Sequence, residues 1–248
     1  MRLDVRVGTL GGLPLGEGSD ITKVVRKSIR HAEGKEELKM DVKTAIYTRR
    51  SVRKYKSTPV PKELVLEILE SANLAPSATN RQPWEFVVVH RSYLDRLEDI
   101  LKEAFRERVA GVSEEAMRRA IKDLSLPEDG SGDKLKGLGT FYRTLGGAPI
   151  AIGVCLPREK DPWVWKNNIS DSAAAIENLL LAAWDKGLGT CWMTGPLKGR
   201  ADMIAAFLAV PQDRELVAIV TLGYPDHQPS MPPKKDVAQK TRWIGFDS

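Results

Sequence analysis

Hydrophobic residues recur at helical spacing along much of this chain. Leu64, Ile68, Leu69 and Ala72 share one face of a predicted helix, and charged residues occupy the opposite face. This helix should stop before Pro76, because proline cannot continue the helical hydrogen bonds. The same spacing predicts further helices at residues 41–48, 92–105, 113–124, 171–186 and 200–208.

Four short apolar runs, rich in β-branched residues, alternate with these helices. They span residues 85–90, 149–156, 189–196 and 216–222 and are typical of strands, the third of which breaks into a Gly-Pro turn. The first run has charge only at its ends, which predicts a strand buried on both faces. Strands that alternate with helices indicate an α+β or α/β domain built in layers.

The longest predicted helix runs from about residue 171 to 186, with Ser170 as its N-cap and Gly187 just past its end. Its surface is apolar most of the way round. Such a helix is expected to be buried on more than one side, within the domain or against a second subunit.

Three segments differ from this regular pattern. Residues 1–39 show only a weak helical period, and we interpret them as an N-terminal extension preceding a complete domain at 40–248, with a loosely attached tail as the alternative. Residues 127–139 are rich in Gly, Asp and Lys and predict a surface connection that is a candidate lid. The tail from Asp226 onward cannot form a core and is expected to lie across another surface.

The composition of the chain narrows the classes of function that it can have. With 248 residues, 42% of them hydrophobic and 29% charged, the chain can form one large domain with a substantial core. The sequence has no apolar run near the ~20 residues of a membrane helix and no signal-like N-terminus, so we expect a cytoplasmic protein without a membrane partner. The net charge of +5 is spread along helices that also carry acidic residues. Nucleic-acid binding is therefore a remote alternative.

Cys155 and Cys191 are the only cysteines, and each lies in an apolar strand-like run. They are interpreted as buried structural thiols, with a disulfide or a catalytic thiol as the lesser alternative. The three histidines lack metal-ligand spacing, and we predict no metal site.

Two polar stretches carry the candidate chemistry. Residues 49–54 bring four cations and a hydroxyl together, which suits a phosphate, although a solvated basic run at a helix end is the alternative. Residues 75–84 form a polar, proline-broken loop between a helix and a strand. A loop fixed by rigid elements at both ends is a common place for binding groups.

Together these stretches resemble the nitroreductase family of flavin-dependent oxidoreductases, from about residue 41 to the C-terminus. The resemblance rests on four stretches in the order of the family: 49–55, 76–86, 187–195 and 222–225. It implies an α+β fold with three α/β/α layers, a central and mostly antiparallel sheet, and a homodimer with an extended C-terminal arm. It also implies two FMN molecules at the subunit interface.

The resemblance assigns roles to the cations. Arg49 and Ser51 match positions that hold the FMN phosphate, and Arg50 lies beside the ribityl chain. Arg53 matches the cation at the flavin pyrimidine edge, where it favours the reduced, anionic form. A basic residue of the tail completes the phosphate clamp, either Lys234 or Lys235.

Two further motifs are assigned in the same way. Pro76, Ser77, Ala78 and Asn80 match a loop that reaches the FMN from the opposite subunit. Met193, Thr194 and Gly195 match the turn that passes the flavin N5, where Gly195 permits a close approach.

The implied reaction needs no catalytic side chain, because the flavin carries the electrons. NADH or NADPH would deliver hydride to N5 and leave, and a nitroaromatic, quinone or similar small-molecule electron acceptor would then take its place in a ping-pong cycle. Two alternatives remain. One is a specialised member that dehalogenates, fragments flavin or oxidises azolines, and the other is a non-catalytic FMN-binding sensor.

Overall fold

A computed structural model of the chain describes residues 40–126 and 132–246. The predicted N-terminal extension, residues 1–39, lies outside this part of the chain. The described helices are α1 (Val42–Thr48), α2 (Lys62–Asn73), α3 (Arg91–Leu94), α4 (Glu98–Val109), α5 (Glu114–Ile121), α6 (Lys134–Thr144), α7 (Pro162–Asp185) and α8 (Ala201–Phe207). The described strands are β1 (Glu85–His90), β2 (Ile150–Pro157), β3 (Gly189–Met193) and β4 (Arg214–Gly223).

The four strands form one antiparallel sheet in the order β1-β2-β4-β3. The central strands β2 and β4 are buried along most of their length, whereas β1 lies at an edge. In β1 only Val89 is buried, and Val88 is 45% exposed. The prediction of a strand buried on both faces is therefore wrong, because the helical layers cover this edge strand only in part.

Alternate residues of β2 face two separate cores. Ile152 and Val154 pack with α2 and α7 on one side of the sheet. Ala151 and Cys155 pack with α4, α6 and α8 on the other side. Since successive side chains of a strand point to opposite faces, the sheet forms the middle of three layers. The predicted α+β fold with an α/β/α arrangement is confirmed.

Helix α7 begins nine residues before the predicted start at residue 171. Asp161 is its N-cap and accepts a 2.8 Å hydrogen bond from the Trp163 backbone N–H, and Pro162 fills the first turn. Ser170, the predicted cap, lies inside the helix and donates to the Lys166 carbonyl oxygen. An Asp-Pro start signal therefore outweighs the weak periodicity of the first turns.

Helix α6 replaces much of the predicted connection at 127–139. Asp133 caps it by accepting a hydrogen bond from the Leu135 N–H at 2.9 Å. Gly137 and Gly139 disfavour a helix, but Leu138 and Phe141 bury its inner face. Residues 127–131 lie outside the described residues.

The described tail contains one helical turn, Ala238–Lys240, and remains largely exposed. Trp243 and Ile244 are 71% and 88% exposed. None of the helices in residues 40–126 and 132–246 combines the length and apolar character needed to cross a bilayer.

Candidate functional site

The basic stretch after α1 is tied to the edge strand β3 by its own backbone. The Val52 N–H donates to the Thr190 carbonyl oxygen at 2.8 Å, and the Tyr55 N–H donates to the Gly146 carbonyl oxygen at 3.0 Å. Val52 and Tyr55 point into the protein and are buried. The intervening polar residues are thereby held at the surface instead of forming a free basic run.

Gly189 permits this close attachment. A Cβ atom at residue 189 would lie 2.5 Å from Cγ2 of Val52 and 2.7 Å from its Cβ. A side chain there would push the basic stretch off β3.

Five of the predicted cofactor residues line one cavity of about 220 Å³. They are Arg49, Arg50, Ser51, Arg53 and Lys234. The remaining lining residues come from α1, the segment after α5 and the proline-rich part of the tail: Ile46, Tyr47, Asp123, Leu124, Ser125, Pro229, Ser230, Met231 and Pro232. Lys235, the alternative to Lys234, does not line this cavity.

The guanidinium groups of this cavity are held mostly by neutral oxygens. Arg50 donates to the carbonyl oxygens of Tyr47 and Arg49 at 2.8 and 2.7 Å. Arg53 donates to those of Ser51 and Ser125, both at 3.3 Å. Among the described residues neither cation has a carboxylate partner within salt-bridge distance, so their charge is available to an anion.

Arg49 has the least complete set of hydrogen bonds among the three arginines of the cavity. Its Nε lies 3.4 Å from Oε1 of Glu177, but the buried Nε makes no hydrogen bond to any described residue. A buried donor without a partner is costly and marks a place for a ligand acceptor. The cavity therefore fits a phosphorylated group.

Sequence patterns gave no sign of Ser125, which closes one wall of the cavity. Its carbonyl oxygen accepts from Arg53, and its hydroxyl lies 3.4 Å from Nε2 of His227 in the tail. Lys134 of α6 donates to the neighbouring carbonyl oxygen of Leu124 at 3.3 Å. The segment after α5 is thus held between α6 and the tail.

The second predicted motif does not line the cavity of this chain. Its backbone is unusual, since Thr79 and Asn80 have φ of 52° and 55°. The Ser77 hydroxyl accepts from the Gln82 N–H at 2.9 Å, and the Ala78 N–H donates to Asp171 of α7 at 3.1 Å. A strained polar loop fixed in this way is a candidate binding element, and contact with a cofactor in another subunit stays a prediction.

The third motif, at the end of β3, meets a residue that sequence reasoning missed. Met193 is buried, Thr194 is exposed, and Gly195 begins a helical turn that ends at Leu197. A Cβ atom on Gly195 would overlap the hydroxyl of Tyr142 and lie 2.9 Å from its Cζ. Tyr142 of α6 therefore covers this turn.

Both cysteines are free and buried, which agrees with structural thiols. Burial raises the pKa of Cys155 to about 11, with a further rise from Glu85 and an opposing effect of Arg214. Burial likewise raises the pKa of Cys191, although Arg53 and Arg49 oppose the shift. Neither thiol is activated as a nucleophile.

The chain is similar to known proteins along most of its length. The model of the nitroreductase family matches residues 46–224. An NADH dehydrogenase of Thermus thermophilus is 33% identical over 192 residues, which cover 75% of this chain and 87% of the relative. A 4-nitrobenzoate reductase of Pseudomonas putida is 26% identical over 230 residues, covering 84% and 97%.

A solved structure extends the comparison. The crystal structure of the FMN-dependent nitroreductase NfnB of Mycobacterium smegmatis, in complex with NADPH, superimposes with a TM-score of 0.64. It is 26% identical and covers 82% of this chain and 100% of its own. These matches confirm the predicted family and, with it, an oxidoreductase of the NAD(P)H-dependent type. The chain belongs to the nitroreductase family.

Proposed function

We propose that this protein is an FMN-dependent enzyme that uses NADH or NADPH to reduce a nitroaromatic, a quinone or a similar oxidised small molecule. The observation that carries the proposal is the cavity at residues 49–53. It gathers three guanidinium groups, two of them hydrogen-bonded to carbonyl oxygens and the third with a buried Nε that makes no hydrogen bond to a described residue and lies 3.4 Å from Glu177. The relatives named as FMN-dependent and as nitro-group reductases support the same cofactor and reaction.

The residues of the cavity fit the anionic part of FMN. Arg49, Ser51 and Lys234 would hold the phosphate, and Arg50 would lie beside the ribityl chain. Of the two tail lysines, we assign Lys234, because it alone lines the cavity. Arg53 would face the pyrimidine edge, where a fixed cation favours added electrons and raises the reduction potential.

When bound, FMN would supply a two-electron carrier that accepts hydride at N5 from the nicotinamide and passes the electrons on. The backbone at Met193, Thr194 and Gly195 would line the N5 edge. The chain's own task is to hold, orient and shield the reactants, and no side chain acts as acid or base in the hydride step. The nicotinamide leaves before the acceptor enters, which gives ping-pong kinetics.

We further propose a homodimer. The apolar residues Val42, Ile46 and Tyr47 of α1 are exposed in a single chain, as are Trp243 and Ile244 of the tail. Exposed apolar area of this extent is typical of an interface. In such a dimer the loop of Pro76, Ser77, Ala78 and Asn80 would reach the cofactor of the other subunit. The extended tail would act as the connecting arm, and the predicted cytoplasmic location stays a prediction.

The test is anaerobic stopped-flow spectroscopy of the FMN-loaded protein. Mixing with NADPH or NADH should bleach the flavin absorbance, and a later addition of nitrobenzoate or menadione should restore it. Double-reciprocal plots at several acceptor concentrations should be parallel, as ping-pong kinetics requires. Failure to take up FMN, or to bleach with either nucleotide, would contradict the proposal.

A further inference from the structure

Gly195 has a neighbour that explains why this position carries no side chain. A Cβ atom there would overlap the Tyr142 hydroxyl and lie 2.9 and 3.3 Å from its Cζ and Cε1. Distances below 3.0 Å do not occur between a real Cβ and a non-bonded heavy atom, so an alanine would displace the tyrosine ring. The space at Gly195 is filled by a side chain of the same subunit.

The Tyr142 ring is held from behind. It packs against Phe105 of α4 with ring centroids 5.2 Å apart, and against Phe141 at 6.4 Å in an edge-on geometry. It also borders a small hydrophobic cluster built on Met117, Ile121 and Leu138. The ring is therefore fixed by packing, and its hydroxyl is directed to the turn at Gly195.

Tyr142 also lies next to the cation cavity. The neighbouring Phe141 ring is 5.9 Å from Cζ of Arg53, and Arg53 lines the cavity. The last turn of α6 thus lies between Arg53 and the turn at residues 193–195. The Tyr142 hydroxyl lies on the Gly195 side of this helical turn, beside the segment expected to pass the flavin N5.

The hydroxyl is suited to donate a hydrogen bond. Burial raises the pKa of Tyr142, an effect that nearby Arg108 opposes only in part, so the phenol keeps its proton at neutral pH. Arg108 also forms a side-chain hydrogen bond to this hydroxyl, and because a guanidinium can only donate, the phenol oxygen accepts and keeps its own proton for a ligand. A neutral phenol in a partly buried site pairs well with an oxygen of a nitro group or a quinone, neither of which can donate.

We propose that Tyr142 is the acceptor-binding residue of this enzyme: its hydroxyl, placed in the space left by Gly195, donates a hydrogen bond to an oxygen atom of a nitroaromatic or quinone. This proposal rests on the proposed function and deepens it. It also gives Gly195 a role toward Tyr142, in addition to the close approach to flavin expected from sequence.

The contact between the two residues is tested by a double-mutant cycle on protein without added FMN. Gly195→Ala is combined with Tyr142→Ala, and the midpoint of thermal unfolding is measured for all four proteins. Gly195→Ala should lower the midpoint when Tyr142 is present and leave it nearly unchanged when residue 142 is alanine, because the overlap is then absent. If Gly195→Ala lowered the unfolding midpoint equally with Tyr142 and with alanine at residue 142, the Tyr142 hydroxyl would not occupy the space beside Gly195, and the proposal would be overturned.

The ligand contact is tested with Tyr142→Phe in the FMN-loaded protein. Nitrobenzene and menadione are titrated against the oxidised protein without nicotinamide, and binding is followed by the change in flavin absorbance. Loss of one neutral hydrogen bond should raise both dissociation constants about three- to tenfold. Tyr93→Phe, which removes an exposed hydroxyl on α3, is the matched control and should leave both constants within about twofold.

Kinetics separates a ligand contact from a purely structural role. In Tyr142→Phe, kcat/KM for nitrobenzene should fall at least about threefold more than kcat/KM for ferricyanide, which needs no hydrogen bond to the site. Equal loss for both acceptors, or unchanged dissociation constants, would overturn the proposal while the oxidoreductase assignment stands. A wild-type protein that takes up no FMN would instead contradict the proposed function itself.

Discussion

The hydroxyl of Tyr55 lies 2.6 Å from the hydroxyl of Thr221, at the point where the basic stretch meets the central strand β4. The Tyr55 hydroxyl also donates to the Val52 carbonyl oxygen at 2.7 Å, and the Thr221 hydroxyl lies 3.4 Å from the Cys191 carbonyl oxygen, to which it donates. Both side chains are buried. This chain of hydrogen bonds anchors the segment that carries Arg49, Ser51 and Arg53 to the sheet.

Removal of the Tyr55 hydroxyl should therefore destabilise the protein. Tyr55→Phe leaves the Val52 carbonyl oxygen without this donor inside the core, which we expect to lower the free energy of unfolding by about 1–3 kcal/mol. Urea unfolding followed by circular dichroism measures the loss, with the exposed Tyr93→Phe as control. A loss no larger than that of the control would show that the anchor adds little stability.

The two tail lysines offer a matched pair for cofactor binding. Lys234 lines the cavity and Lys235 does not. We expect Lys234→Met to weaken FMN binding about three- to tenfold, because it removes one charged partner of the phosphate. Lys235→Met should stay within about twofold. Quenching of FMN fluorescence gives both dissociation constants, and the reverse order of the two effects would contradict the assignment.

The sheet was predictable because its strands are local patterns. The β-branched runs containing Val87, Ile152 and Val220 indicated three strands before any tertiary contact was known. The partial exposure of the edge strand β1 was not predictable, since nothing in residues 85–90 distinguishes an edge position from a central one. Helix α6 was hidden by Gly137 and Gly139, whose cost is offset by burial of the neighbouring apolar residues.

The candidate site likewise combines residues that a local motif predicts with residues that only tertiary packing brings in. Arg49, Ser51 and Arg53 form a compact motif, and the structure brings them to one cavity. Ser125 and Tyr142 follow Arg53 by more than seventy residues, and no local pattern relates them to it. Their roles depend on how α5 and α6 pack, which periodicity does not report.

The two thiols should resist modification in the folded protein. Cys155 is fully buried and its pKa is raised to about 11, so at pH 8 about one molecule in a thousand carries the thiolate. We expect negligible reaction with Ellman's reagent in native protein and two equivalents after unfolding in guanidinium. Cys155→Ser and Cys191→Ser should each leave one equivalent. Rapid labelling of native protein would instead indicate an accessible, activated thiol.

Acid should weaken the attachment of α6. Arg118 forms a bidentate pair with Asp133 at 2.8 and 3.2 Å, and Asp133 also accepts from the Leu135 N–H. The Arg118 guanidinium, aided by that N–H, lowers the pKa of Asp133 to about 2. Because the folded pKa lies below the ordinary value of 3.8, the ionised carboxylate contributes its full stabilisation above about pH 4. That contribution disappears as the pH falls through about 2.

This pH dependence can be measured with Asp133→Asn, which keeps an N-cap side chain but removes the charge. The wild type should have the higher urea midpoint at pH 5, and the difference between the two proteins should shrink steadily from pH 4 towards pH 2.5. Asp99→Asn, at an exposed carboxylate of α4 for which the structure describes no ion pair, controls for the general loss of negative charge. A difference that stays constant over this range would mean that Asp133 acts as a cap alone and that its pairing with Arg118 adds nothing to stability.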